Sequence, residues 1–328
     1  MFENTSSKTA SDYNVDTSMP KLIIIGVVNT LAAALLGLAL KSVIANGGLT
    51  PANIFAVIGA NLLFLCLFQM QAVFIKSLKI QSMVVGAETF ALVAPFLTMW
   101  SWSLMLAIVL LFAFLLKAAK GGMTQMDNQI KIQFFSIERH TLPSAITALS
   151  IFVSILYVAV SGIGASFISK DAFRLLLKPS DPVIRSVLIE DFSVDMTMVK
   201  FAEALTARQF GDQFTKLAPA AKSQAMIEIV SQLHTQAASY GIIFKNTDTV
   251  NDVFYAYTAN KFNLIPEGYR SMIPYVVFFL TYFTVKGLGS LLRWLVSTPA
   301  YVLYQFLLSI GFARIGVESR NREIIIVS

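Results

Sequence analysis

Residues 82–116 hold one charged side chain, Glu88, in a stretch otherwise free of Asp, Glu, Lys and Arg. A carboxylate inside a membrane costs about 2.5–3.5 kcal/mol on insertion scales, and an intramembrane acid is a functional-site candidate by default. Residues 272–292 also carry a single charge, Lys286. Counting ~1.5 Å per residue from Gln81 and back from Arg293 puts both groups about 10 Å inside the membrane. Equal depth permits an intramembrane ion pair. The plainer alternative is snorkelling, in which each long side chain reaches the headgroups. A third reading is an ion, proton or substrate path, with Asn29, Asn61, Gln69 and Gln71 as further polar groups in apolar runs. Such amides more often hydrogen-bond between helices, at about 1 kcal/mol each.

Other chemistry is absent from the sequence. There is no His-Glu-x-x-His, no P-loop and no Gly-x-Ser-x-Gly. The single cysteine, Cys66, leaves no intrachain disulfide and no thiol metal site. His140 and His234 fall on opposite sides of the membrane in the topology below. Gly162-Ile163-Gly164 and Gly287-Leu288-Gly289 lack the strand-turn-helix setting of a nucleotide fingerprint and read as points of close helix approach. Ser150, Ser154 and Ser161 suit a small-residue packing seam. Glu190, Asp191 and Asp195 form the one tight acidic group and read as capping or solvated side chains. The expectation is no catalytic residue, no cofactor, no metal and no enzyme activity.

The elements that must position Glu88 are membrane helices. The hydrophobic fraction is 56%, mean hydropathy is +0.68, and charged residues are 13% of the chain, against about 25% in soluble domains. A helix needs about 20 apolar residues to cross the ~30 Å hydrocarbon layer. Residues 1–20 read as a disordered polar tail. The membrane domain, 21–168, reads as five helices at 22–40, 52–75, 82–99, 101–116 and 145–168. The third and fourth form a hairpin, because residues 82–116 would make one helix of about 52 Å, too long for one crossing; Pro95 and Trp100-Ser101-Trp102 mark its turn. Val43-Ile44-Ala45 offers a signal-peptide cleavage site, but an uncleaved first anchor fits the long polar lead better. Residues 121–144 read as a polar loop in which Gln129 to Phe134 alternate as a short strand. Helices at 272–292 and 295–313 follow, the latter crossing or re-entrant, and 314–328 is a tail. The tail's Arg322 to Val327 has strand composition and is expected to pair with residues 130–137, or to add to a partner's sheet.

The net charge of +6 resides near the apolar runs. Residues 169–271 hold 11 Lys+Arg and 11 Asp+Glu, and the rest of the chain 14 against 8. With the N-terminus inside, Lys8, Lys21, Lys76, Lys79, Lys117, Lys120, Lys131 and Arg139 share the inner side, as the positive-inside rule requires. Residues 169–271 then lie outside. No basic stripe points to nucleic acid. The outer stretch reads as helical, with caps at Thr197 and Thr249, Pro219 opening a helix and Gly241 closing it.

The whole reads as an all-α integral membrane protein of six or seven transmembrane helices with an inserted helical extracytoplasmic domain. Asp195-Met196-Thr197 before a helix with Phe201, the 304–312 stretch with Leu307, Leu308 and Gly311, and the Arg322-Glu323-Ile324 tail resemble uncharacterised polytopic bacterial inner-membrane proteins. That resemblance implies an inner-membrane location and no activity. The expected function is a non-enzymatic envelope assembly or scaffold subunit whose residues 169–271 bind a protein partner. The alternative is a transporter or channel working through Glu88 and the intramembrane amides. Expected partners are the lipid bilayer, one protein and further copies of the chain. A wet cavity at Glu88 would favour transport, and a dry bundle the scaffold.

Overall fold

The computed structural model describes residues 18–44, 50–161, 170–187, 189–211, 218–318 and 322–327. The polar tail 1–17, the turn 46–49 and Gly162-Ile163-Gly164 lie outside them. The chain divides into two compact units, one of residues 1–46, 50–160 and 275–328, the other of 47–49 and 161–274.

The first unit is a bundle of long apolar helices: α1 (Met19–Ile44), α2 (Pro51–Phe74), α3 (Leu78–Val93), α4 (Trp102–Asp127), α5 (Phe134–Ser161) and, following the second unit in sequence, α12 (Ile273–Leu291). Six helical segments among the described residues are long and apolar enough to cross a membrane. Their ends follow local chemistry. Thr50 caps α2, its hydroxyl accepting from Asn53 N at 3.2 Å, with Pro51 opening the helix. Between α3 and α4, a 3-10 stretch Ala94–Met99 containing Pro95 breaks the helix. Ser101 then caps α4 by accepting from Leu104 N at 3.2 Å. The break returns the chain, and Gly86 on α3 faces Phe112 on α4.

α1 and α3 run parallel. Gly26 lies against Val84, Asn29 against Glu88 and Gly37 against Leu92, so both helices advance together. One apolar core joins Leu36, Phe64, Leu92, Phe96, Leu111 and Phe152. A second, at the end of the bundle that holds the start of α1 and the end of α2, joins Leu22, Phe74, Phe134, Tyr304 and Ala313.

The region expected as a polar loop is largely helical. α4 continues to Asp127 and α5 begins at Phe134, so only residues 128–133 connect them. The expected strand at 129–134 is absent. Buried Phe134, Ile137, Thr141, Leu142 and Ala145 recur at helical spacing, and that period outweighs the brief alternation before it. Gly122 lets α4 meet Thr141 of α5 with no room for a Cβ. The tail strand therefore pairs elsewhere. β2 (Arg322–Val327) runs antiparallel to β1 (Ala313–Glu318), with Ile315 opposite Ile325. The two strands are neighbours in sequence, and Gly311 at φ 73° turns the chain out of α13 into β1.

α13 (Arg293–Ser309) has 17 residues, about 25 Å of helix, short of the ~30 Å hydrocarbon layer. It packs by Val296, Ala300 and Tyr304. Tyr304 stacks on Phe134 with ring centroids 5.2 Å apart. Lys21 Nζ donates to the Phe312 carbonyl at 3.0 Å and lies 5.1 Å from that ring's centre, joining the start of α1 to the turn before β1.

The second unit is built of α6 (Lys170–Leu177), α7 (Asp181–Val187), α8 (Met198–Phe210), α9 (Pro219–Ser239), α10 (Val250–Asn263) and α11 (Glu267–Arg270). Its core gathers Ile189, Phe192, Val194, Met198, Phe244 and Val250. Thr197 and Thr249 bridge as a single β pair, which sets the starts of α8 and α10 side by side. Thr249 and Asp252 form a reciprocal capping box.

Candidate functional site

Three side chains from three helices meet inside the membrane bundle. Asn29 of α1 uses one amide nitrogen twice: Nδ2 donates to Gln71 Oε1 of α2 at 2.7 Å and to Glu88 Oε1 of α3 at 2.7 Å. All three residues are fully buried, at 0% exposure. The parallel approach of α1 and α3 through Gly26 and Gly37 brings Asn29 and Glu88 to one level. Gln71 arrives from the last turn of α2, three residues before Phe74.

Lys286 is not part of this site. Its Nζ donates to the Tyr282 hydroxyl at 2.8 Å, one turn back on α12, and sits 5.2 Å from that ring's centre. Among the described residues no ion pair joins Glu88 to Lys286; the acid is met by neutral amides. Matched depth was the sole ground for that pair, and depth says nothing about which faces of two helices meet. Asn61, half-buried on α2, takes no part in the hydrogen bonds of the cluster. Gln69 is buried at 1% but lies two positions from Gln71, which is about 200° around the helix, so it faces away from Asn29. Ser150 and Ser154 on α5 donate back to the carbonyls of Ile146 and Ser150, each at 2.7 Å, which leaves a smooth packing seam.

Polar atoms around the cluster are not all used. Asn29 Oδ1, Gln71 Nε2, Glu88 Oε2, Thr89 Oγ1 and both amide atoms of Gln81 are buried without a hydrogen-bond partner among the described residues. Buried polar groups are nearly always paired, and groups left over point to an ion, water or function. Gln81 stands seven residues before Glu88, two helical turns, hence on the same face of α3. In sequence Gln81 marks only the start of a helix. The i, i+7 spacing to Glu88 was the signal that could have found it.

A second buried acid lay in what read as loop. Glu138 of α5, 2% exposed, accepts from Arg293 Nε at 3.0 Å, tying α5 to the first residue of α13. Nearby, Gly289 lets α12 reach Ile146, where a Cβ would meet Cγ2 at 2.7 Å. This ion pair is a joint between helices and touches none of the Asn29 cluster.

Among the described residues no group of three or more His, Cys, Asp and Glu is placed to hold a metal ion. In the second unit, a groove of about 610 Å³ is lined by Met226, Ile227, Val230, His234 and Asn246. His234 stacks on Phe244 at 4.1 Å and its Nε2 lies 3.2 Å from Asn246 Oδ1, so the ring has a packing role. No protein-family model matches this chain, and no curated protein and no solved structure is significantly similar to it.

Proposed function

We propose that this chain is a multi-pass bacterial inner-membrane protein of transporter or channel type, with Glu88, Asn29 and Gln71 at its working site. Full burial of Glu88 is the dry packing expected of a scaffold; what carries the transport reading against it is that the carboxyl has only neutral hydrogen-bond partners and that its Oε2 is unpaired among the described residues. A purely structural polar contact would satisfy its atoms, because leaving a buried polar group unpaired costs about 1–3 kcal/mol. Unused donors and acceptors on Gln71, Gln81 and Asn29 mark an interior suited to water or a small ion. Basic residues between the apolar segments support an N-terminus in the cytoplasm and residues 169–271 outside.

The test is flux. Purified protein in liposomes, given proton, sodium or potassium gradients, should pass one of these ions, and Glu88→Gln should abolish the flux while keeping the melting temperature near wild type. Wild-type liposomes as tight as protein-free ones to all three ions would end the reading.

The scaffold reading keeps one specific support: the second unit has its own apolar core and capped helices, with Ile227 and Ile243 exposed at 70% and 93%. A photo-crosslinker at Ile243 in living cells that gave one discrete protein adduct, unaffected by Glu88→Gln, would favour it.

A further inference from the structure

We infer that the ligand of the Glu88 site is a proton, taken up on Oε2 from the end of the bundle where α3 begins. The inference rests on the transport reading and names what that site carries.

The centre of the site holds a donor. Asn29 Nδ2 lies 2.7 Å from both Gln71 Oε1 and Glu88 Oε1, and its N–H bonds point at both oxygens. A metal ion drawn to those oxygens would have to displace an amide of the same electrical sense. Hard cations also want six or more oxygen ligands in a flexible shell, whereas this site offers one carboxyl and two amides, all fully buried. A proton needs no such space.

Glu88 Oε1 is engaged and Oε2 is not. A protonated carboxyl carries one O–H beside its remaining acceptor capacity, so Oε2 is the position for the hydrogen. In the step, a hydronium ion gives its proton to Oε2. One O–H bond of hydronium breaks, one O–H bond forms on the carboxyl, water is left, and the carboxylate charge is cancelled. No electron is transferred.

Among the described residues no ion pair reaches Glu88. On α1 the charges are Lys21, engaged with the Phe312 carbonyl, and Lys41 at the opposite end. α2 has none. On α3, Lys79 is nine residues from Glu88, about 13 Å along the axis. α4 has none from Trp102 to Leu116; beyond it come Lys117, 5.9 Å from the centre of the Phe114 ring, then Lys120 and Asp127 in the last turns. A proton is therefore the charge available to neutralise Glu88.

The two directions out of the site differ. Toward the start of α3, on the same face as Glu88, stands Gln81 with both amide atoms unpaired. Such a group can both accept from and donate to a water that carries a proton. Toward the other end, α3 presents Leu92 and Val93 and the following turn Phe96, packed with Leu36 and Leu40 of α1. That layer is closed and apolar. The end where α3 begins is apolar too, with Leu22, Met70 and Phe74 buried there, but buried Gln81 interrupts it with two unpaired amide atoms, so the proton is taken up past Gln81.

Infrared difference spectroscopy of the whole protein in lipid tests this. Wild type should show a carboxylic C=O band that is absent in Glu88→Gln, shifts in frequency in Glu88→Asp, fades as pH rises and moves to lower frequency in heavy water. Gln81→Leu should slow that deuterium shift several-fold without removing the band. No Glu88-dependent carboxylic band at any pH, with wild type folded, overturns the inference. So does sodium or potassium raising the melting temperature of wild type but not of Glu88→Gln. An unchanged deuterium rate in Gln81→Leu overturns the entry route. Protonation without flux would sink the transport reading and leave this one standing; sodium flux without protonation would do the reverse.

Discussion

Gly37 of α1 meets the carbonyl of Leu92 of α3 so closely that a side chain at position 37 would overlap the carbonyl oxygen. The neighbour is backbone at the end of α3, where the chain turns into the 3-10 stretch, so it has little freedom to yield. Gly37→Ala is expected to force the two helices apart and cost about 1–3 kcal/mol, the range for overpacking a close-fitted interior. Gly59→Ala, with open space around its Cβ, serves as the control and should be neutral or stabilising. Thermal melting in detergent compares them.

The same helix pair carries Asn29. Asn29→Leu removes the donor to two buried oxygens at once, on Gln71 and Glu88. At about 1–3 kcal/mol for each buried group left unpaired, the loss should reach roughly 2 kcal/mol or more. Glu88→Gln keeps an acceptor facing Asn29 and should lose less. A melting temperature for Asn29→Leu equal to that of Glu88→Gln would show that the bridging amide is not what holds the three helices.

Arg293 and Glu138 make a different kind of joint. The acid is nearly sealed, at 3% side-chain exposure, while the guanidinium is 34% exposed. Breaking a fully buried pair from one side costs about 3–5 kcal/mol, and with one partner partly solvated we expect about 2 kcal/mol for Arg293→Ala. The double variant with Glu138→Gln should be more stable than Arg293→Ala alone, since no unpaired buried carboxylate remains. Additive effects in that double-mutant cycle would exclude the pair.

In the second unit, Asp252 is held below the usual carboxylate range. Burial opposes the charge, but the Lys170 ammonium 2.6 Å away and the Thr249 backbone and hydroxyl more than offset it. A depressed folded value means that the stabilisation is complete above the unfolded pKa of ~3.9 and is lost as pH falls through the folded value. Asp252→Asn should therefore lower the melting temperature at pH 7, where the stabilisation from Lys170 and the cap is fully present, and remove part of the acid-side fall below about pH 4, so that the two proteins converge in acid. Thr249→Ala should cost about 1 kcal/mol at either pH, as for other N-caps.

What the sequence determined by itself is what local physics controls. Runs of apolar residues long enough for hydrocarbon mark helices, and Pro95 with the Trp100-Ser101-Trp102 cluster marks the hairpin break, because a proline acts on its own backbone and aromatic side chains gather at the membrane surface. Thr197 and Thr249 are legible as caps for the same reason, whereas the Thr50 cap on α2 is a finding of the structure. The reading of 121–144 as loop failed because polar Gln125, Glu138 and Thr141 looked solvated in one dimension. Thr141 and Glu138 are buried against neighbouring helices that no local window contains. The tertiary structure alone decided the partners. Glu88 and Lys286 share a depth, yet depth leaves the rotation of each helix free. Close approach at Gly26 and Gly37 fixed that rotation for α1 and α3, and turned Glu88 to Asn29. The tail paired with β1 instead of residues 130–137 because closing a loop to a strand three residues away in sequence costs less entropy than closing one to a distant segment.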